Sequence, residues 1–175
     1  MKKILFVLTI MFTMALTANA QFYAGGSLSL HANKANYEFA FSPEIGYTFQ
    51  NNTGVGCVFD FSYDKATKAT GFGVNPYFEY DFLTIGDKFT FYLHTYLHYA
   101  MTTAPDMLTD HSYGVSVHPG VIWGVTDHWS AAFYVGGVEY MWTQPGGVAF
   151  KDGYGDFNLG LSASVPCGVA LYYSF

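Results

Sequence analysis

Three acidic residues, Glu44, Asp60 and Glu79, occupy positions where a carboxylate could do chemistry. Each lies on the polar side of a segment in which apolar and polar residues alternate, so all three are expected to face one interior. A turn near residue 51 would bring Glu44 and Asp60 close together. Two carboxylates in a poorly hydrated space resist joint ionisation, which would suit a cation or proton site. The favoured alternative is a water-filled hydrogen-bond network with nearby tyrosines (Tyr77, Tyr92 and Tyr96).

Three histidines, His94, His98 and His118, lie on the same polar side of two adjoining segments. His94 and His98 are four residues apart on one strand, about 13 Å, which is too far to share a metal ion. His94 and His118 could meet across the strand pair and bind a metal. We favour neutral histidines bonded to Glu79 or to tyrosine hydroxyls. The sequence therefore predicts no catalytic, cofactor-binding or metal site.

Eight segments of alternating polarity position these residues, and no stretch shows sustained helical periodicity. Bulky apolar residues fill one face of each segment, while glycine, serine, acids and histidine fill the other. The facing of the seventh segment is ambiguous, because apolar residues occupy both sets. Pro166 suggests that the eighth contains a bulge or projects beyond a bilayer. The segments cover residues 22–31, 37–49, 54–63, 70–82, 88–101, 112–125, 129–142 and 156–175.

The first twenty residues have the three zones of a cleavable secretory signal peptide. Lys2 and Lys3 precede an apolar stretch over residues 4–16, and Ala18 and Ala20 supply the small residues before a cleavage site. The apolar stretch is shorter than the roughly 20 residues of a membrane-spanning helix. An N-terminal anchor helix is the alternative. We predict a signal peptide over residues 1–20 and one domain over residues 21–175.

The composition is poor in charge and rich in aromatic side chains. Charged residues make up 11% and aromatic residues 20% of the chain, whereas soluble proteins average about 25% charged residues. Arginine is absent from the sequence. Without Lys2 and Lys3, five lysines remain against 13 acids, a net charge of −8. This charge argues against nucleic acid as a partner.

Two cysteines, Cys57 and Cys167, could form a disulfide in an exported protein. Both lie on the apolar side of segments that are not expected to be neighbours. Side chains on separated outer faces cannot reach disulfide distance. We therefore predict two free cysteines that face lipid.

The number and spacing of the segments predict an all-β fold, an eight-stranded antiparallel up-and-down transmembrane β-barrel. Short turns after the second, fourth and sixth segments alternate with longer loops, as in bacterial membrane barrels. Bulky uncharged faces suit hydrocarbon outside, and the mixed polar faces suit a narrow interior. A closed barrel pairs every backbone group in lipid. The loops offered as contact surfaces are residues 64–69, 102–111 and 144–155.

With these features the chain resembles the small eight-stranded outer-membrane barrels of the OmpA/OmpX-like group, including the outer-membrane protein β-barrel domain proteins. The resemblance implies an outer-membrane monomer in contact with lipid and lipopolysaccharide. It also implies an insertion signal for the barrel assembly machinery, formed by the terminal alternation Val169, Leu171, Tyr173 and Phe175. Such barrels usually hold arginine–carboxylate pairs inside. Because this chain lacks arginine, we hypothesise that histidines replace it.

The predicted function is structural or interactive, with a filled polar lumen and no catalysis. A narrow channel for small solutes or cations is the first alternative. The second is a lipid-A-modifying enzyme, because some barrels of this kind use a His-x-Ser pair, which His128-Trp129-Ser130 matches in spacing. That triplet is expected beside a short turn, away from outer-leaflet substrate. A soluble lipocalin-like carrier is the most distant alternative.

Overall fold

Antiparallel β-strands make up nearly all of the fold in the computed structural model, which describes residues 21–32, 37–49, 51–86, 88–105, 107–134, 136–160 and 168–175. The predicted signal peptide, Pro166 and Cys167 lie outside these ranges. No helix in the described part of the chain is long and apolar enough to cross a membrane. The described strands are β1 Gln21–Ala32, β2 Tyr37–Phe49, β3 Thr53–Asp64, β4 Ala69–Ile85, β5 Phe89–Thr103, β6 Asp110–Gly124, β7 Trp129–Tyr134, β8 Gly137–Gln144, β9 Tyr154–Gly160 and β10 Gly168–Ser174, with one 3-10 turn, Phe150–Asp152, between β8 and β9.

The strands close into a ring of eight positions. Each of β1 to β5 pairs antiparallel with the next strand in sequence. Strand β6 pairs with both β7 and β8, which together fill the seventh position. Strands β9 and β10 fill the eighth, since β9 pairs with β8 and β10 pairs with β7. Pairing of β10 with β1 closes the barrel and confirms the predicted eight-stranded antiparallel fold.

Several strands run further than the sequence predicts, so the loops are shorter. Strand β4 continues through the predicted turn at residues 83–87 as far as Ile85, which pairs with Phe89. A register shift between Asp81 and Leu83 allows this, because it leaves Phe82 and Leu83 both on the outside. The connecting loops shrink to residues 65–68, 104–109 and 145–153. The predicted boundaries were wrong here because paired strands extend beyond the length that crosses a bilayer.

A β-bulge between β7 and β8 explains the ambiguous seventh segment. Strand β6 pairs Gly120 with Tyr134 but Val117 with Val138, so three residues of the seventh position face two of β6. The extra residue reverses the facing of every residue that follows it. Gly136 adopts a φ of +64°, a conformation that glycine reaches without a steric penalty. Outward-facing apolar residues therefore occupy odd-numbered positions before the bulge, such as Phe133, and even-numbered positions after it, such as Val138.

The barrel is apolar outside and polar inside. Large apolar side chains are exposed on the outer face of every barrel position, for example Phe41, Val55 and Leu171. Among the residues whose side-chain burial is described, no leucine, isoleucine, valine, phenylalanine, methionine or tryptophan is buried. Apart from glycines, the residues described as buried are tyrosines, alanines and polar groups: Tyr23, Tyr77, Tyr92, Tyr172, Ala131, Ala132, Ala170, Glu44, Asn75, Glu79, His94, Ser116 and His118. This is the reverse of a soluble barrel, whose interior is apolar.

The cysteine prediction is tested only at Cys57. Its thiol is free and partly exposed, and its strand neighbours Ile45 and Pro76 lie on the outer face. Cys167 lies outside the described residues, so its predicted outward facing stays a prediction.

Two glycines on neighbouring strands make room for tyrosine rings in the interior. A Cβ atom built on Gly46 would overlap the ring of Tyr23, and one built on Gly56 would overlap the ring of Tyr77. Both rings are part of the buried cluster. Glycine at these two positions therefore sets how close the rings can lie to the barrel wall.

We predict that Gly56→Ala destabilises the barrel by about 1–3 kcal/mol, because the added methyl group forces the Tyr77 ring out of place. Gly73→Ala is the matched control, since its added Cβ would meet the Asp60 side chain at 3.3 Å rather than overlap a ring. The measurement is urea unfolding of the refolded protein in detergent micelles. Equal losses in the two variants would contradict this account of the interior.

Candidate functional site in the barrel interior

In the part of the interior that the structure describes, a partition of side chains separates a lower cavity from an upper one. The lower cavity, of about 240 Å³, lies near the 125–128 turn and is lined by Thr126 and Ser130 among others. The upper cavity, of about 540 Å³, lies toward the loop end of the barrel. Tyr92, His94 and Tyr172 line both cavities, so they form the wall between them. These side chains fill the barrel at mid-height.

Glu44 accepts hydrogen bonds from tyrosine hydroxyls on two other strands. The Tyr77 hydroxyl donates to Oε1 at 2.5 Å, and the Tyr172 hydroxyl donates to Oε2 at 2.9 Å. The Tyr77 hydroxyl oxygen also accepts a hydrogen bond from the Tyr23 hydroxyl. Two successive hydrogen bonds thus run from Tyr23 through Tyr77 to the Glu44 carboxyl group. Hydrogen bonds to a carboxylate are among the stronger ones in proteins. The sequence predicted hydrogen bonds between the interior acids and tyrosines that include Tyr77, and the bond of Tyr77 to Glu44 confirms this.

Glu79 and His94 form the second buried contact of the partition. Glu79 Oε2 lies 2.6 Å from His94 Nε2, and each residue is 3% exposed. His94 Nδ1 lies 2.8 Å from the Tyr96 hydroxyl. We assign the Nε2 proton as the donor to Glu79, with the Tyr96 hydroxyl donating to Nδ1. The His94 ring stacks on Tyr77 at a centroid distance of 4.4 Å. The hypothesis that histidine replaces arginine as an acid's partner is confirmed for this pair.

A separate polar chain lines the upper cavity. The Asn75 amide donates to Asp60 Oδ2 at 2.5 Å, and Asn75 Oδ1 lies 2.9 Å from His98 Nδ1. His98 Nε2 in turn lies 2.7 Å from the Ser116 hydroxyl. The chain crosses strands β3, β4, β5 and β6, so it ties four neighbouring strands together from the inside. Asn75 and Ser116 are buried.

Glu44 and Asp60, which were expected to lie close together, face the same cavity but are not bonded to each other. Both residues line the upper cavity, but Glu44 lies opposite Val58 in the strand register, two residues from Asp60. Each acid has its own hydrogen-bond partners, tyrosines for Glu44 and Asn75 for Asp60. The arrangement is therefore two separate acid sites and not a shared carboxyl pair.

His94 and His118 meet across the strand pair, as the sequence suggested. The two residues lie directly opposite each other on β5 and β6. Their ring nitrogens nevertheless have different partners, since His118 Nδ1 lies 2.9 Å from the carbonyl oxygen of Gly136. His94 is committed to Glu79 and Tyr96, which leaves it no nitrogen for a shared metal ion.

The His128-Trp129-Ser130 triplet lies at the short-turn end, as predicted. His128 Nδ1 lies 3.0 Å from the backbone oxygen of Ser174, and its ring stacks on Tyr173. His128, Trp129 and Ser130 all line the lower cavity, and half of the Trp129 surface is exposed. The histidine thus helps hold the end of β10 in place.

Three interior residues were missed by reasoning from the sequence: Tyr172, Glu139 and Asn75 as a bridging group. Tyr172 sits between Leu171 and Tyr173 in the terminal alternation, so its inward facing could have been inferred from parity alone. Glu139 could not be placed, because its facing depends on the bulge at Gly136. Asn75 lies on the inward parity of its strand, but its two partners depend on the register of three strands.

The comparisons with known proteins are consistent with this architecture. No family model and no curated protein matches the sequence. Neisserial surface protein A (NspA) has a similar structure, with a TM-score of 0.55 and 15% identity over 89% of this chain and 97% of that one. The N-terminal β-barrel domain of Pseudomonas aeruginosa OprF is similar at a TM-score of 0.53 and 11% identity, over 90% and 98%. Both are eight-stranded outer-membrane β-barrels, and the chain has their fold.

We predict that His94→Leu destabilises the barrel by about 3–5 kcal/mol, because it leaves the buried Glu79 carboxyl group without its partner. The double variant Glu79→Leu/His94→Leu should recover much of that loss, since it removes both polar groups together. Urea unfolding in micelles measures both. If the double variant loses as much unfolding free energy as the two single variants combined, the contact between Glu79 and His94 contributes nothing to stability.

Proposed function

We propose that the protein is an integral outer-membrane β-barrel with a closed lumen, which serves a structural or surface-interaction role and carries out no catalysis. The observation that carries the proposal is the partition of Tyr92, His94 and Tyr172 between the two cavities. It lies within a barrel whose exterior is apolar on every strand position. The outer-membrane location is further supported by the shared fold of NspA and the OprF domain.

The closed lumen argues against a diffusion channel, the first alternative. Eight strands enclose a space that side chains can just fill. Here tyrosines on β1, β4 and β10 are bonded in one group with Glu44, and His94 on β5 is bonded to Glu79 in a second group. A solute or hydrated ion would have to break these bonds in order to pass.

Two loops at the open end supply a surface for interaction. Leu108 and the first residue of β6, Asp110, lie against the loop of residues 145–153, because Asp110 Oδ1 accepts a hydrogen bond from the Gly146 backbone amide at 2.7 Å and Leu108 packs close to Gly146. Met107, Leu108 and Phe150 are exposed on these loops. Exposed apolar side chains outside a bilayer are typical of contact sites. We infer that these loops meet a surface partner or lipopolysaccharide.

The carboxyl-terminal strand is proposed to carry the signal for insertion. Val169 and Leu171 point outward on β10, and Phe175 follows at its end. The backbone amide of Phe175 donates to Phe22 at the barrel seam. We propose that the alternation Val169, Leu171, Tyr173 and Phe175 is presented to the barrel assembly machinery before this seam forms, and that the inserted protein is a monomer.

We predict no substantial conductance for the wild-type protein in planar lipid bilayers. The double variant Tyr92→Ala/Tyr172→Ala should conduct, because it removes two side chains of the partition and joins the cavities. Heat-modifiable gel migration confirms that the variant is folded. Wild-type channels as large as those of the variant would show that the lumen is open and that the channel function is correct.

We predict that Leu97→Arg destabilises the barrel in lipid vesicles by about 2–4 kcal/mol, because it places a charge against hydrocarbon. Leu97 is 60% exposed in the middle of β5. Met107→Arg is the control, since Met107 is 64% exposed but lies on a loop. Unfolding by denaturant in vesicles measures both. Equal effects of the two substitutions would contradict a lipid-facing exterior and with it the outer-membrane proposal.

A further inference from the structure

Three potential metal ligands converge in the upper cavity from neighbouring strand positions. They are His98 on β5, His118 on β6 and Glu139 on β8, and their ligand atoms all lie within 4.8 Å of one another. Ligands about 2.0–2.1 Å from one zinc ion lie roughly 3.3 Å apart in a tetrahedron. Small side-chain rotations would therefore bring this set to bonding distance.

The hydrogen bonds of His98 leave one ring nitrogen ready for a metal. The Asn75 amide nitrogen donates to Asp60, so its oxygen faces His98 Nδ1 and can only accept. Nδ1 must then carry the proton, and Nε2 has a free electron pair. In the structure that pair accepts the Ser116 hydroxyl at 2.7 Å, a bond that a metal ion could replace.

His118 is prepared in the same way by a different group. Its Nδ1 lies 2.9 Å from the carbonyl oxygen of Gly136, which can only accept a hydrogen bond. Nδ1 therefore carries the proton, and Nε2 is free to bind a metal. Metal-binding histidines almost always donate their other N–H to a carbonyl or carboxylate in this manner. Separate hydrogen-bond partners thus hold both histidines in the tautomer that can bind a metal. This evidence is independent of the short distances between the three ligand atoms.

The bulge at Gly136 links the third ligand to the second. It supplies the carbonyl group that holds His118, and it reverses the facing of β8 so that Glu139 points inward opposite Ser116. No hydrogen-bond partner of the Glu139 side chain is found among the described residues, and both Glu139 and the histidines line the 540 Å³ cavity. A carboxylate directed into this space without a partner suits a cation. The same local irregularity thus builds two parts of the cluster.

We propose that His98, His118 and Glu139 bind one divalent transition-metal ion in the upper cavity. Two imidazole nitrogens and one carboxylate oxygen favour zinc, nickel, copper or ferrous iron over magnesium or calcium, which prefer oxygen ligands. The cavity leaves room for further ligands on the ion. The proposal goes beyond the structural role of the barrel, and it does not depend on whether the lumen conducts.

The test uses the full mature barrel, purified without a histidine tag, refolded in detergent micelles and freed of metal with a chelator. Isothermal titration with zinc chloride should show one ion per barrel, and magnesium chloride should show none. His98→Gln and Glu139→Gln should each weaken zinc binding at least about tenfold. Asn75→Leu should weaken it about 10–100-fold, because the Nδ1 proton of His98 then loses its acceptor. The matched controls His128→Gln and Glu38→Gln should leave the affinity unchanged.

Titration of the wild-type barrel with cobalt chloride gives a readout that does not depend on the folding of any variant. Visible ligand-field bands of cobalt bound by nitrogen and oxygen ligands are expected at one equivalent, and zinc should displace them. Absence of these bands in the folded barrel would overturn the proposal. Zinc affinity that is unchanged in a folded His98→Gln/Glu139→Gln double variant would also overturn it, because the ion would then bind elsewhere.

Discussion

The Glu44 and Glu79 carboxyl groups must be satisfied in the middle of a narrow barrel whose sequence contains no arginine. A buried carboxyl group without partners is strongly unfavourable. Glu44 is satisfied by two tyrosine hydroxyls and Glu79 by His94. Tyr77 and Tyr172 reach Glu44 from β4 and β10, and His94 reaches Glu79 from the neighbouring strand β5, so satisfying the acids also fills the interior. The partition depends on this constraint, because two of the rings that bond the acids, His94 and Tyr172, also separate the cavities.

The glycines opposite these rings are the other half of the same arrangement. Tyr23 and Tyr77 lie against Gly46 and Gly56, where any side chain would occupy the space of the ring. Large and small residues thus alternate across the barrel wall, which is how a narrow barrel is filled. The glycines that the sequence places on the polar faces are therefore part of the packing.

One irregularity connects the fold to the candidate metal cluster. The bulge at Gly136 reverses the facing of β8, holds His118 through its carbonyl group and turns Glu139 into the upper cavity. Bulges in barrels commonly redirect a side chain near functional sites. The upper half of the interior consequently differs from the partition, which is filled by bonded side chains. It is open, lined by acids and histidines, and reached from the loop end.

The sequence by itself determined the fold class and the facing of most residues. Because side chains on a strand alternate with a period of two, the inward positions of Glu44, Asp60, Glu79, His94 and His118 could be read directly. The pairing of Glu79 with a histidine was hypothesised from the absence of arginine, and the bonding of Glu44 to Tyr77 was expected from the tyrosines on the same inner face. Only the tertiary structure decided which groups meet across the interior, such as Tyr172 with Glu44 or Glu139 with the histidines. Those contacts depend on register and bulges, and a shift of one residue moves a side chain to the opposite face. The register is set by hydrogen bonding between strands and by the bulges, which the alternation within one strand does not specify.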